Sequence, residues 1–314
     1  MKSKLTFLLL APMMLSAIGC NDNSGKNSQN MEPKTIDVIL ISGQSNAVGC
    51  THTNCITRSI GASKYQEYLK GYPTIQIAFD SWTKDWPDIP DYTRVVYYSQ
   101  NKSKDDDFTK VMLGQGNGLT TFGPEIGIAE AMHEKYGDKL CLIKYACGAS
   151  NLQDDWMDRN SPMYPKFIKY VKAQMENLKS KGYAPTIKAF CWMQGEGDAY
   201  DGYSINYLNN LRVFVGNVRE DLQGLTGDRE LPFIDAAINP DISVWPKGPE
   251  VNEAKVAFAA ESESNFFIDT VAEGLHTNIE PFNNPDKCHY DSESQVQLGH
   301  LFAEAFEQFL EPVK

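Results

Sequence analysis

The sequence predicts an α/β fold, a parallel sheet with helices on both faces. Three observations carry that prediction. Short apolar runs alternate with longer amphipathic stretches, the order expected of strand–helix–strand units. The apolar runs are nearly continuous, as strands buried on both faces require. The chain has 314 residues, 42% of them hydrophobic, enough for one large core. No composition break or internal repeat divides residues 35–314.

Taken in order, the strand candidates are Asp37–Ser42 (DVILIS), Leu140–Tyr145 (LCLIKY), Ile187–Met193 (IKAFCWM), Pro232–Ile238 (PFIDAAI) and Phe266–Val271 (FFIDTV), a sheet of about five strands. Helix candidates lie between them. Glu125–Tyr136 follows Pro124 in its first turn and stops before Gly137. Pro165–Ser180 sets Phe167, Val171, Met175 and Leu178 on one face, with lysines opposite. Asn206–Leu222, Glu250–Ser262 and Glu293–Leu310 have the same pattern, and Ser292 with Gln295 suggests a capping box at the last. Residues 51–121 are less regular and are expected to form long excursions over the sheet.

The first twenty residues are expected to be a targeting segment. Lys2 and Lys4 precede an apolar run, Leu5 to Ile18, that ends in Gly19-Cys20. That run is too short and wrongly flanked to span a bilayer. Small residues before Cys20 suggest a lipoprotein signal in which Cys20 is lipidated, with an ordinary secretory signal as the alternative. Either way the chain is expected outside the inner membrane, facing the periplasm or cell surface if anchored. Residues 21–34 (NDNSGKNSQNMEPK) have the composition of a flexible linker. Residues 35–314 are then one domain.

A formal charge of -12 and the lack of a basic block argue against a nucleic-acid partner. The cysteines are 20, 50, 55, 141, 147, 191 and 288, with no zinc-ligand spacing. Cys141 and Cys191 sit in apolar runs and are expected in the core. Cys50 and Cys55 flank a short polar loop; an oxidising compartment allows a disulfide there, and spacing does not establish one.

Four polar motifs follow apolar runs, at the strand ends where this architecture gathers reactive groups. Gly43-Gln44-Ser45-Asn46 follows the first. A serine at a strand-to-helix turn presents its hydroxyl and its backbone N–H to one centre, as a nucleophile needs; a plain polar turn is the alternative. Asp286-Lys287-Cys288-His289 lies beyond the last strand. A serine needs a base, histidine titrates in the right range, and a carboxylate three residues away can hold its tautomer. His133 and His300 fall on helices, while His52 and His276 are weaker loop candidates. Trp192-Met193-Gln194-Gly195-Glu196-Gly197-Asp198 ends the third run. Gln194 can donate an amide N–H to an oxyanion, Glu196 can orient it or a neighbouring loop, and Asp198 reads as a surface acidic turn. Lys144-Tyr145-Ala146-Cys147-Gly148-Ala149-Ser150 ends the second, where Gly148 lets a backbone N–H approach substrate.

In these residues the chain resembles the SGNH hydrolase superfamily, and within it the sialate O-acetylesterase-like group that includes the acetyl xylan esterases of carbohydrate esterase family six. The matching pieces are GQSN (43–46), FGPE (122–125), KYACGAS (144–150), WMQGEGD (192–198) and DKCHYDSESQVQLG (286–299). The resemblance implies a flavodoxin-like three-layer sandwich with no metal and no organic cofactor. It implies Ser45 as nucleophile, His289 as general base and Asp286 as its support, with an oxyanion hole from the N–H groups of Ser45 and Gly148 and the Gln194 amide. The implied substrate is an acetylated carbohydrate. The group commonly has two glycines where this chain has Gly148-Ala149, which leaves open which of the two supplies the N–H. Trp82, Trp86, Trp156 and Trp245 are candidates either for stacking on sugar or for the core. Two other readings stand beside this one. An esterase for a non-carbohydrate ester is disfavoured by the lack of a long apolar lid. A carbohydrate-binding lipoprotein without catalysis is disfavoured by the complete Ser/Asp/His set.

Overall fold

The first apolar run of the described residues becomes the middle of the sheet: Val38, Ile39, Leu40 and Ile41 have no exposed surface. The structure, a computed structural model, describes residues 32–85 and 95–310. The expected targeting segment with Cys20, nearly all of the expected linker, and Trp86 lie outside the described residues.

The strands are β1 Lys34–Gly43, β2 Thr51–His52, β3 Tyr72–Asp85, β4 Val96–Lys102, β5 Thr109–Val111, β6 Thr121–Phe122, β7 Leu140–Gly148, β8 Tyr183–Met193, β9 Phe233–Ala236 and β10 Asn265–Ile268. The helices are α1 Ser45–Val48, α2 Ile56–Ser59, α3 Ala62–Lys70, α4 Glu125–Met132, α5 Tyr164–Ser180, α6 Tyr207–Asp221, α7 Gly248–Ala259 and α8 Ser292–Glu307. The main sheet has eight strands in the order β10-β9-β8-β1-β7-β3-β4, with β5 also on β3. From β10 to β3 every neighbouring pair is parallel, while β4 and β5 run antiparallel to β3. The chain fills the β3/β7 side first and then crosses β1 to β8. The carboxyl end of β1 is thus the topological switch point, where ligand sites of such sheets form.

Side chains on one face explain where the helices sit. Phe190 and Trp192 of β8 meet Phe167 of α5 and Phe214 of α6, and Phe233 of β9 meets Phe258 of α7. Elsewhere α4 and α8 cross closely, and glycines make this approach possible. A Cβ on Gly127 would lie 2.0 Å from the Val296 carbonyl oxygen, and one on Gly299 2.2 Å from that of Pro124.

The five expected strands are present, and the parallel set gains one more, β3. It lies inside the 51–121 stretch that the sequence assigns to excursions. Gln76, Asp80 and Ser81 interrupt its apolar pattern, and Asp80 is buried against the Ser99 hydroxyl (2.6 Å). Two helix ends also differ. α4 stops at Met132, where the His133 ring reaches the carbonyls of Ala129 and Glu130 (3.1 and 3.0 Å). The capping box at α8 does not form. Asp291 is the N-cap residue, the Ser292 hydroxyl donates to Glu280 (2.7 Å), and the Gln295 amide donates to the Asn46 carbonyl (3.1 Å).

Candidate active site

Ser45 sits where β1 gives way to the single turn α1. Gly43 adopts φ +137°, and a Cβ there would lie 2.0 Å from the Met193 carbonyl oxygen, so only glycine fits the turn. Gln44 donates its N–H to that carbonyl (2.9 Å). Between Ile36 and Gly49, Ser45 is the one residue that is not buried. Its N–H opens a helix and so lacks an intrahelical acceptor.

The residues around it are occupied in holding the loops. The Gln44 side-chain oxygen accepts from the Gly195 and Gly197 N–H groups (3.3 and 3.0 Å). The Asn46 amide donates to Glu196 Oε1 (2.8 Å) and to the Cys288 carbonyl (3.3 Å), and its oxygen accepts the Tyr290 N–H (3.1 Å). The Ser45 turn is thereby joined to the loop that carries His289.

In that loop His289 Nδ1 lies 2.7 Å from Asp286 Oδ2, while Asp286 Oδ1 accepts the N–H groups of Cys288 (2.8 Å) and His289 (2.9 Å). One carboxylate thus orders both the ring and the turn. Burial pushes the imidazole pKa down, but the Asp286 carboxylate and the neighbouring Cys50 thiol push it up further, and the net shift is upward. For Asp286, burial works against the charge, yet hydrogen bonds from His289 hold its pKa below the usual carboxylate range. His276 is engaged elsewhere, with its Nδ1 2.6 Å from Asp291.

Gln194 is placed differently from the sequence expectation. It is fully buried, its amide nitrogen donates to Asp198 (2.6 Å) and to Gln44 (3.2 Å), and its oxygen accepts from the Tyr207 hydroxyl (3.1 Å). Both amide hydrogens are used inside the protein, so Gln194 is not an oxyanion donor in this arrangement. Asp198 is likewise no surface turn. It has no exposed surface and accepts the N–H groups of Leu152 (2.6 Å) and Gln153 (3.2 Å), tying the loop after β7 to the loop after β8. Burial raises its pKa to about 6. Glu196 is buried too, with its pKa raised by burial, and it holds Asn46 rather than Gln194.

Gly148 ends β7 opposite Thr83 of β3. A Cβ there would meet nothing closer than 3.7 Å. The next residue, Ala149, is the strained one, with φ +58°. The glycine-favouring conformation therefore falls on the position where this chain departs from the two-glycine pattern. Cys50 and Cys55 are both free thiols, so the disulfide is not formed; Cys50 lies beside His289, whereas Cys55 faces Glu280. Cys141 and Cys191 are buried in the core as expected. Trp156 is fully buried against Trp192, and Trp82 is partly buried beneath the Lys166 ammonium, 4.4 Å from its ring. Trp245 packs edge-on against Tyr200.

Sequence reading missed two buried ion pairs beneath this floor. Lys144 of β7 binds Glu125 (2.8 Å) and the carbonyls of Val48 (3.0 Å) and Gln115 (2.7 Å). Lys255 of α7 binds Asp235 (2.6 Å) and the carbonyls of Gln194 (2.5 Å) and Ala236 (2.8 Å). The only signal for them is a charged residue inside an apolar run, as in LCLIKY and PFIDAAI.

A doubly wound sheet with a partly exposed serine at its switch point, joined to a His–Asp pair from the final loop, is the layout of a serine hydrolase. The family model for "Carbohydrate esterase, sialic acid-specific acetylesterase" matches residues 35–308, and the chain belongs to that family. It is a carboxylic-ester hydrolase acting as a carbohydrate O-acetylesterase. No curated protein sequence matches it. Among solved structures it is similar to a protein from Arabidopsis thaliana (TM-score 0.58, 23% identity, 88% of this chain and 100% of that one). It is also similar to NanS (0.55, 13%, 89% and 98%) and to a carbohydrate acetylesterase from Xanthomonas citri (0.50, 15%, 87% and 56%). These likenesses are of fold.

Proposed function

We propose that the acetyl ester of a sugar is cleaved by two-step acyl transfer, with Ser45 as nucleophile, His289 as general base and Asp286 as its orienting carboxylate. The observation that carries this reading is the one partly exposed residue of a buried segment, a serine, tied through Asn46 to the loop in which Asp286 holds His289. Ser45 attacks the acetyl carbonyl as His289 takes its proton. The tetrahedral intermediate collapses, and His289 returns the proton to the departing sugar oxygen. Water then attacks the acetyl-serine by the same route and acetate leaves. The oxyanion is stabilised by the backbone N–H groups of Ser45 and Gly148. Asp286 keeps the imidazole in the tautomer whose Nε2 accepts.

Ser45→Ala is expected to lower kcat for release of acetate by about 10⁴-fold or more with the melting temperature unchanged. A stable variant that keeps more than about a hundredth of wild-type kcat overturns the assignment.

We also propose that Cys20 carries the lipid that anchors the mature protein to a membrane, with residues 21–34 as the tether. The supporting feature is the charged start, short apolar run and small residues before that cysteine. Cys20→Ser is expected to abolish incorporation of labelled fatty acid in a bacterial host and to move the protein to the soluble fraction. Wild-type protein that takes up no label leaves an ordinary secretory signal.

A further inference from the structure

We infer that Asn46 is a positioning residue for the base, clamping the peptide on both sides of His289, and that Glu196 fixes the orientation of the clamp. This rests on the reading of His289 as the general base.

Asn46 follows the nucleophile directly and is 2% exposed. Its amide nitrogen reaches the carbonyl of Cys288 and its amide oxygen receives the N–H of Tyr290, so the residue before His289 and the residue after it are both held by one side chain. The opposite side of the loop is held at Lys287, whose carbonyl accepts from Thr277 (2.9 Å) and Asn239 (3.3 Å). His289 is therefore suspended between two anchors, and one of them moves with Ser45. An asparagine amide can flip by half a turn. Flipped, it would set its oxygen against the Cys288 carbonyl and its NH₂ against the Tyr290 N–H, and every contact would turn repulsive. Glu196 reinforces the working flip that the Cys288 carbonyl and the Tyr290 N–H favour, because its Oε1 accepts from the NH₂ only. The acid is 1% exposed and its Oε2 has no partner, an arrangement that burial alone disfavours. Its contact with Asn46 accounts for its place.

The test compares Asn46→Asp with the double variant Asn46→Asp/Glu196→Gln in the full-length protein, measuring kcat, KM and melting temperature for p-nitrophenyl acetate hydrolysis. Asn46→Asp removes both donors and sets acceptor against acceptor. It is expected to lower kcat by about 100-fold while KM changes by less than about threefold. In the double variant the glutamine introduced at position 196 donates to the carboxylate introduced at position 46, and recovery of about tenfold in kcat is expected. A stable Asn46→Asp protein with wild-type kcat, or a double variant no faster than the single one, overturns the proposal. If Asn46→Asp does not fold, Glu196→Ala carries the test: a loss of about tenfold in kcat supports the clamp and an unchanged kcat overturns it. His289→Ala separates the two readings. If it is inactive while a stable Asn46→Asp is fully active, only the clamp fails; if His289→Ala keeps wild-type kcat, the base assignment itself fails.

Discussion

At the scale of single residues, the polar groups around the switch point differ in how completely they are buried. Gln44, Asn46, Gln194 and Asp198 are all buried and hydrogen-bonded into loops, whereas Ser45 and His289 are partly exposed. The His289 shift has a kinetic consequence. In the proposed mechanism His289 must be neutral to accept the serine proton, so kcat/KM rises as pH passes its pKa. Because that pKa is raised, the acid limb should lie above the value of about 6.5 for free histidine. Asp286→Asn removes the carboxylate that raises it, so the limb should move to lower pH while kcat falls on the order of 10³–10⁴-fold. A pH profile of kcat/KM for both proteins checks this, and a limb that stays in place removes Asp286 from the role. The Ser45 turn is legible in the sequence because polar residues directly after an apolar run are conspicuous, and the Asp286–His289 contact because a three-residue spacing lets one turn bring both together. The fate of Gln194 is not, since two carboxamides can be told apart only by what surrounds them.

At the scale of elements, continuous apolar runs mark five strands directly, and β3 escapes because two of its buried positions, one on each face, are the polar residues Asp80 and Ser81. The α8 start shows a related limit. Ser292 and Gln295 have the right spacing for a capping box, but tertiary partners, Glu280 and the Asn46 carbonyl, displace the local ones. β7 carries the sharpest test of element-level reasoning. Lys144 and Glu125 have fully buried side chains, and Lys144 also holds the carbonyl of Val48 at the end of the Ser45 turn. Lys144→Met leaves the Glu125 carboxylate buried without its cation and should destabilise the fold by about 3–5 kcal/mol. Denaturant unfolding measures this; a loss below about 1 kcal/mol would show that the pair contributes little. Adding Glu125→Gln should restore much of the loss, because the uncompensated charge is then gone.

For the molecule as a whole, alternation of strands and helices is enough to predict the doubly wound sheet, while no periodicity can show which loops meet above it. The charge of -12 also acts at this scale. It repels an anionic sugar and is indifferent to a neutral one. If acetylated sialic acid is a substrate, its kcat/KM should rise about twofold or more between low salt and ~0.15 M salt, whereas that of a neutral acetylated xyloside should stay level. Stopped-flow or pH-stat assays of both substrates across salt decide it; parallel responses would mean that the overall field does not reach the site. The hydrogen bonds that join Asn46 to Cys288 and Tyr290 link residues 242 and 244 positions apart in the chain. On the proposed assignment, the nucleophile is made early in synthesis and its base almost last. A growing chain therefore carries the serine but not the loop proposed to arm it, and on that reading hydrolytic power arrives only when the C-terminal stretch docks, a built-in delay between making the enzyme and switching it on.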